Sequence, residues 1–242
     1  LFTVYLCQLA MALAFQSVPP VIPLIIEDLR ISHAQVGLLM GLFFMPGIFL
    51  SIPVGFLSDK YKARNIIAPS LLLIILGSAM VALSPSYGLV VAGRFITGIG
   101  ALSTSIVIPT IIAKWFLGKE LGLSMSLFHT GVPLGSVISF NVMPSLAGIF
   151  GWRSSQWLVA LFALAALIVF LIIFIDSPAE RRKESREGQK SLAGILKIGA
   201  AVWLLGLIWM LYTSSVSAFM SFSTDFLVRN GFSITTAGFA NG

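Results

Sequence analysis

Long stretches without a charged residue dominate this sequence and restrict what it can fold into. Such stretches cover residues 1–26, 31–58, 65–93, 95–113, 121–152, 154–175 and 198–224. A helix that crosses the hydrocarbon layer of a bilayer needs about 20 mostly apolar residues. Only 10% of the residues are charged and 57% are hydrophobic, whereas a soluble domain is about 25% charged. The excess apolar surface is therefore expected to face lipid, in an all-α membrane protein.

These stretches predict seven membrane-spanning helices. The range 65–113 holds one charge, Arg94, and is too long for a single crossing at about 1.5 Å per residue. The turn-forming segment 84–88 divides it. The predicted spans cover residues 2–25, 35–57, 66–84, 87–112, 121–144, 155–175 and 197–222, and an eighth is expected to begin near Thr235. The sequence begins inside one apolar stretch and ends in another, which predicts a fragment of a longer protein.

The distribution of Lys and Arg predicts how the spans are oriented. The connections 58–65, 113–120 and 176–197 hold eleven basic residues, and the connections on the opposite side hold three. Basic connections lie preferentially in the cytoplasm. The start of the chain and loops 58–65, 113–120 and 176–196 are therefore expected to be cytoplasmic, in a multi-pass protein of a prokaryotic plasma (inner) membrane. Because the net charge of +6 is spread over these loops, no nucleic-acid partner is expected.

A densely charged segment divides the sequence into three predicted parts. Residues 1–175 are expected to form a six-helix transmembrane bundle, and residues 176–196 a charged central cytoplasmic loop. Residues 197–242 would be the incomplete start of a second, C-terminal transmembrane bundle. A solvated linker accounts for the composition of the central loop.

The loop after span two carries a polar pattern of defined spacing. A carboxylate at a membrane border, followed by cations, can interact with a helix N-terminus or pair with a neighbouring cation. The pattern resembles the G-x-L-x-D-R-x-G-R-K/R signature of the major facilitator superfamily. The matching positions are Gly55, Leu57, Asp59, Lys60 and Arg64. Lys62 stands where that signature has its second glycine, and Ala63 stands where it has a basic residue.

Later segments resemble the same family. They are Arg94 followed by Gly98 and Gly100, the run Gly131, Val132, Pro133, Leu134 and Gly135, and Gly151, Trp152 and Arg153 before span six. The resemblance covers the whole chain. It implies a six-helix bundle of three-plus-three inverted repeats, then span seven and the start of span eight of a truncated twelve-span fold. It also implies a transporter that works by alternating access as a monomer, with a gate at Gly55, Asp59, Lys60 and Arg64.

Arg94 is the most informative single residue. It lies about 10 Å inside span four. A charged residue at the centre of a span raises the free energy of membrane insertion by about 2.5–3.5 kcal/mol. The Leu, Ile, Val and Phe residues of that span lower the insertion free energy by about 4–7 kcal/mol. The span can therefore insert if its arginine faces protein or water. Two roles stay open: a clamp or coupling group that bonds carbonyls of neighbouring helices, and a direct contact with substrate.

Polar residues at helical spacing lie on the same side of span four as Arg94 and form similar rows on spans one and five, which predicts a substrate pathway. With Arg94, its members are Tyr5, Gln8 and Gln16 in span one, Thr97 in span four, and Ser126 and His129 in span five. Each stripe alone could join helices by hydrogen bonds, but together they favour a water-filled path. His129 could relay a proton or stay neutral beside a hydrogen-bonding neighbour. The predicted helix-packing positions are Gly98, Gly131, Pro133 and Gly135.

We therefore expect a secondary active transporter of a small solute. No Asp or Glu falls inside predicted spans one to seven, so a lone buried cation favours a small organic or inorganic anion or an exchange mechanism. Multidrug or cation efflux is the alternative. Partners would be the substrate, the lipid bilayer, and a coupling proton or counter-substrate.

Other classes match the sequence less well. A seven-helix receptor conflicts with the predicted cytoplasmic start. An enzyme would need paired carboxylates, a metal cluster or an activated nucleophile, whereas only Arg94 and His129 are ionisable within the predicted spans. Cys7 stands alone, which excludes a cysteine-based metal site. No cofactor or metal is therefore expected, and no glycine-rich ATP-binding loop is present.

Overall fold

The computed structural model describes residues 1–116, 120–175 and 200–241. Its helices are α1 (Phe2–Phe15), α2 (Ile22–Leu29), α3 (His33–Lys60), α4 (Ala63–Ala82), α5 (Tyr87–Trp115), α6 (Glu120–His129), α7 (Gly131–Phe150), α8 (Arg153–Ile173), α9 (Ala200–Arg229) and α10 (Ile234–Asn241). No strand occurs among the described residues, which confirms the all-helical prediction. The predicted central loop 176–196 and part of loop 113–120 lie outside the described residues.

Among the residues that the structure describes, seven helical segments are long and apolar enough to cross a membrane, in the order that the sequence predicts. The first combines α1 with α2, and the fifth combines α6 with α7. α10 begins at Ile234, beside the predicted start of the eighth span. α9 continues past residue 222 to Arg229 and so includes Asp225, which is 7% exposed. The helices thus extend past several predicted span ends and include acidic residues that the predicted bounds leave out, of which Asp225 is buried.

Span one is interrupted between α1 and α2. A 3₁₀ turn, Pro19–Val21, lies between these helices, and Pro23 occupies the first turn of α2. Proline lacks the N–H group that would continue the helical hydrogen-bond ladder, and it is tolerated at the start of a helix. α1 therefore ends at Phe15 and leaves carbonyl groups without helical partners in the middle of the membrane-spanning segment.

Small residues allow α5 to lie in close contact with its neighbours. A Cβ at Gly77 or Gly93 would overlap the facing helix in the α4–α5 contact, and a Cβ at Gly98 would overlap the carbonyl of Phe43 in α3. Small residues let the backbones of membrane helices approach closely, and van der Waals packing of this kind contributes to helix association. Because α1 packs against α5, α7 and α8, it occupies the centre of the six-span bundle.

The two ends of the bundle differ in how α9 is attached. We name them the Arg30 end and the Arg64 end. Arg30 is an exposed residue just before the start of α3, and Arg64 is an exposed residue just after its end. α9 packs against α10, α2 and the 3₁₀ turn, and its buried residues are Ser221, Thr224 and Asp225. Residues 202–216 of α9 are exposed. Span seven therefore contacts the six-span bundle at the Arg30 end and separates from it toward the Arg64 end.

Candidate functional site

Arg94 lies where span one is interrupted. Its Nη1 donates to the carbonyl of Ala14 at 2.8 Å and to Ser17 Oγ at 3.2 Å, and its Nη2 donates to the carbonyl of Phe15 at 3.5 Å. The guanidinium carbon is 4.4 Å from the ring centroid of Phe43, and Arg94 is 1% exposed. The cation is thus enclosed by protein.

Electrostatics account for this position. The C-terminal end of a helix carries partial negative charge on carbonyls without intrahelical partners, and the end of α1 offers those of Ala14 and Phe15 to the guanidinium. A cation over an aromatic face gains further stabilisation when it is desolvated. Arg94 nevertheless has no carboxylate partner among the described residues, and its Nε has no hydrogen-bond partner. The charge is solvated by dipoles but not neutralised.

A residue of span six completes the polar group around the interruption. Gln156 Nε2 donates to the carbonyl of Ser17 at 3.3 Å, and Ser17 Oγ lies 3.4 Å from Gln156 Oε1. All three side chains of the group Arg94, Ser17 and Gln156 are buried. Spans one, four and six are therefore joined by one buried polar network.

The predicted polar stripe of span one faces span five. The hydroxyl groups of Tyr5 and Thr130 are 3.1 Å apart, and Gln16 Nε2 donates to Ser136 Oγ at 2.9 Å. Between these bonds, the helices approach at Gly131 and Gly135: a Cβ on Gly131 would lie 2.9 Å from Cγ of Gln8. The Oε1 atoms of Gln8 and Gln16 are buried without partners. This interface thus retains unused acceptors for water or a polar solute.

Three predicted pathway residues form no hydrogen bond with this group among the described residues. Thr97 Oγ1 donates to the carbonyl of Gly93 in its own helix, and Thr97 packs against Gly77 of α4. Ser126 and His129 are exposed on α6. Pro133 is exposed as well, so among the predicted packing positions it does not contribute to the buried contact between α1 and α7.

The predicted gate lies at the Arg64 end. Arg64 Nη2 donates to the carbonyl of Leu171, near the end of α8, and Lys60 lies over the ring of Tyr61. Gly55 has open space around its Cα. Asp59 is exposed and forms no ion pair with a residue that the structure describes. The motif residues thus stabilise helix ends here without forming a closed contact.

Four polar residues of the structure were not predicted from the sequence: Ser17, Gln156, His33 and Asp225. Ser17 shortly precedes Pro19, Pro20 and Pro23, so the interruption of span one could have indicated it. Gln156 was assigned to the start of an apolar span without a role. No local sequence signal pairs His33 with Asp225, because they are distant in the chain. Where the structure describes side chains, no cluster of three His, Cys, Asp or Glu residues could hold a metal ion.

The sequence matches the profile of the Major Facilitator Superfamily over residues 4–242. The chain belongs to the Major Facilitator Superfamily. Over 175 residues it is 26% identical to the protein named probable nitrate transporter NarT in several strains of Staphylococcus aureus, a match that covers 71% of this chain and 43% of the relative. The chain thus spans about half the length of the curated relatives it matches.

Solved structures show the same fold. A bacterial homologue of the human lysosomal transporter Spinster, solved in an inward-facing and unoccupied conformation, has a TM-score of 0.78 and 18% identity, with 99% of this chain and 57% of that chain covered. A D-xylose–proton symporter has a TM-score of 0.71 and 17% identity, with 99% and 64% covered. These likenesses confirm the family fold that the sequence motifs indicated.

Proposed function

We propose that this chain is part of a secondary active transporter that moves a small anion across a membrane by alternating access. The observation that supports an anionic substrate is the environment of Arg94. Its charge is buried, no carboxylate neutralises it among the described residues, and its Nε lacks a partner. A buried charged residue in a membrane helix is a functional-site candidate by default.

The chemistry of the guanidinium narrows the substrate class. Arg presents a planar fork of N–H donors that suits planar, bidentate oxyanions. Nη1 is engaged by Ala14 and Ser17, whereas the edge that bears Nε retains donor capacity. Nitrate and small carboxylates match that edge. The relative named as a probable nitrate transporter supports this choice of class.

Alternating access is supported by the way α9 is attached. Span seven contacts the six-span bundle at the Arg30 end and separates from it toward the Arg64 end. If the basic loops are cytoplasmic, in a prokaryotic inner membrane, this conformation is closed outside and open inside. Tyr5, Gln8 and Gln16 would line the path beside Arg94, and a proton or counter-substrate would couple the cycle. We propose that the transporter works as a monomer.

Uptake by the full-length protein in proteoliposomes tests this function. The substrates are nitrate, nitrite, formate and a lipophilic cation, each with and without a pH gradient. Arg94→Lys keeps the charge but loses the planar fork, and Arg94→Gln loses both. We expect anion uptake that falls at least about tenfold in each variant, because charge-assisted hydrogen bonds contribute about 1.5–3 kcal/mol. Arg30→Gln removes an exposed charge and is expected to keep the wild-type rate.

Two results would contradict the proposal. Wild-type anion uptake by Arg94→Gln would remove Arg94 from the site. Transport of the cation but of no anion would favour efflux of drugs or cations, for which Trp209 and Tyr212 offer exposed rings with centroids 6.2 Å apart on α9.

A further inference from the structure

Gln156 is a buried polar residue at the start of an otherwise apolar helix. From Leu158 to Ile173 every side chain of α8 is apolar, and Gln156 is 1% exposed. Burying an amide group is unfavourable unless the group is hydrogen-bonded. The Gln156 side chain therefore depends on the polar contacts that it makes inside the bundle.

The first turn of α8, which carries Gln156, is fixed to neighbouring elements. Arg153 Nη1 donates to Asp28 Oδ2 at 2.8 Å, and Arg153 Nη2 donates to the carbonyl of Ser84 at 2.9 Å. Trp152 Nε1 donates to the same oxygen of Asp28 at 3.0 Å. Because Asp28 belongs to α2, these bonds join the start of span six to the second helix of span one.

Gln156 contacts both the backbone and the side chain of Ser17. Its Nε2 donates to the carbonyl of Ser17 at 3.3 Å, and its Oε1 lies 3.4 Å from Ser17 Oγ. Ser17 lies between the end of α1 and the 3₁₀ turn, where a helical hydrogen-bond ladder no longer holds the backbone. Span six thus constrains Ser17 at the point where span one is interrupted.

The hydroxyl group of Ser17 in turn orients Arg94. A serine hydroxyl has one hydrogen, and Ser17 donates it to the carbonyl of Ala14 at 2.9 Å. The oxygen of that hydroxyl then accepts from Arg94 Nη1 at 3.2 Å. Since the ring of Phe43 also packs against the guanidinium group, these contacts fix the direction in which the remaining donors of Arg94 point.

The remaining donors lie on one edge of the guanidinium group. Arginine has five N–H donors, of which Nη1 uses two for Ala14 and Ser17, and Nη2 uses one for Phe15. The hydrogen of Nε and the second hydrogen of Nη2 remain, and Nε has no partner among the described residues. Two parallel N–H groups match two oxygens of a planar oxyanion. A spherical halide ion gains the charge of Arg94 but not this paired geometry.

We propose that Gln156 is a positioning residue that, through Ser17, fixes the free Nε–Nη2 edge of Arg94 and so favours planar oxyanions over halides. The inference rests on the proposed anion transport and names the residue of span six that sets its shape selectivity. Without the amide of Gln156, Ser17 gains freedom and the guanidinium group turns with it. The paired contact with nitrate is then lost, whereas the charge that attracts a halide stays.

Competition between nitrate and bromide for the full-length protein in proteoliposomes tests this role. In the wild type, we expect the inhibition constant of bromide to exceed the KM for nitrate at least about tenfold, since bromide lacks the second charge-assisted hydrogen bond. Gln156→Met keeps an unbranched side chain of similar length but loses the amide. In this variant the KM for nitrate should rise about five- to tenfold, while kcat and the bromide constant change less than about twofold.

A second variant approaches the same contact from span one. Ser17→Ala removes the hydroxyl that accepts from Arg94 Nη1 and leaves the rest of the side chain in place. It should lower the preference for nitrate over bromide in the same direction as Gln156→Met. In Arg94→Lys, which lacks the planar fork, adding Gln156→Met should change the ratio of the two constants less than about twofold.

Ser155→Ala is the matched control. Ser155 is the buried neighbour of Gln156 on α8, and its hydroxyl has no partner among the described residues, so this variant should keep the wild-type ratio. An unchanged ratio in Gln156→Met or in Ser17→Ala would overturn the positioning role. A parallel loss of affinity for nitrate and bromide would overturn it as well, because general damage to the bundle affects both ions.

Failure of this inference is distinguishable from failure of the proposed function. Nitrate uptake by the wild type, with the same preference in Gln156→Met, would contradict the role of Gln156 alone. A wild-type protein that takes up neither ion would contradict anion transport itself and, with it, the role of Gln156.

Discussion

At the scale of single residues, the depth of Arg94 and bonds to carbonyls of a neighbouring helix could be predicted, but not which residues it would bond. The sequence places one charge inside an apolar stretch, which predicts burial in protein. That it would donate to Ala14 and Ser17 depends on where α1 ends, and Gln156 joins the group only through the packing of α8 against α1. Hydrogen-bond partners between helices follow from three-dimensional packing, which periodicity does not encode.

Gly98 offers a test of packing at this scale. A Cβ there would overlap the carbonyl of Phe43, whereas nothing lies within 4 Å of a Cβ at Gly41. Gly98→Ala is expected to lower the free energy of unfolding by about 1–3 kcal/mol, as overpacking does. Gly41→Ala is expected to be neutral or stabilising. Thermal unfolding of the two purified variants in detergent checks this, and equal melting temperatures would show that the α3–α5 contact is looser than described.

At the scale of elements, helical periodicity predicted stripes but not the helices that they face. Tyr5, Gln8 and Gln16 do share one side of α1, and that side faces α7. Thr97 was grouped with Arg94, yet it faces α4. The reason is that α1, α3 and α4 all pack against α5, so residues in one broad row on α5 contact different helices. Span seven was ended too early, because Asp225 looked like a boundary.

The gate motif gives a prediction at the scale of elements. Asp59 is exposed and unpaired among the described residues, as expected if the Arg64 end is open. Asp59→Asn should leave the protein in the membrane but slow anion uptake by about tenfold, because the closed state would lose roughly 1.4 kcal/mol of ion pairing. Uptake rates normalised to the amount of reconstituted protein measure this effect. Glu27→Gln, an exposed acid at the other end, should keep the wild-type rate, and full activity of Asp59→Asn would remove the gate role.

At the scale of the whole molecule, the number and order of the membrane spans followed from the sequence. The charge-free stretches and the family motifs indicated six spans, a seventh and the start of an eighth. Which end of the bundle holds span seven could not be predicted, because that contact depends on the conformational state as well as on the fold. The conformation seen here has contact at the Arg30 end and separation toward the Arg64 end.

The most direct test of alternating access measures both ends of the full-length protein at once. One label pair sits at Arg30 and Asn230, and a second pair at Tyr61 and Val202, which are exposed at the Arg64 end. We predict that saturating nitrate lengthens the first distance and shortens the second in the wild-type protein, and changes neither in Arg94→Gln. Two distances that move in the same direction, or an unchanged response in Arg94→Gln, would contradict an anion-driven exchange of access around Arg94.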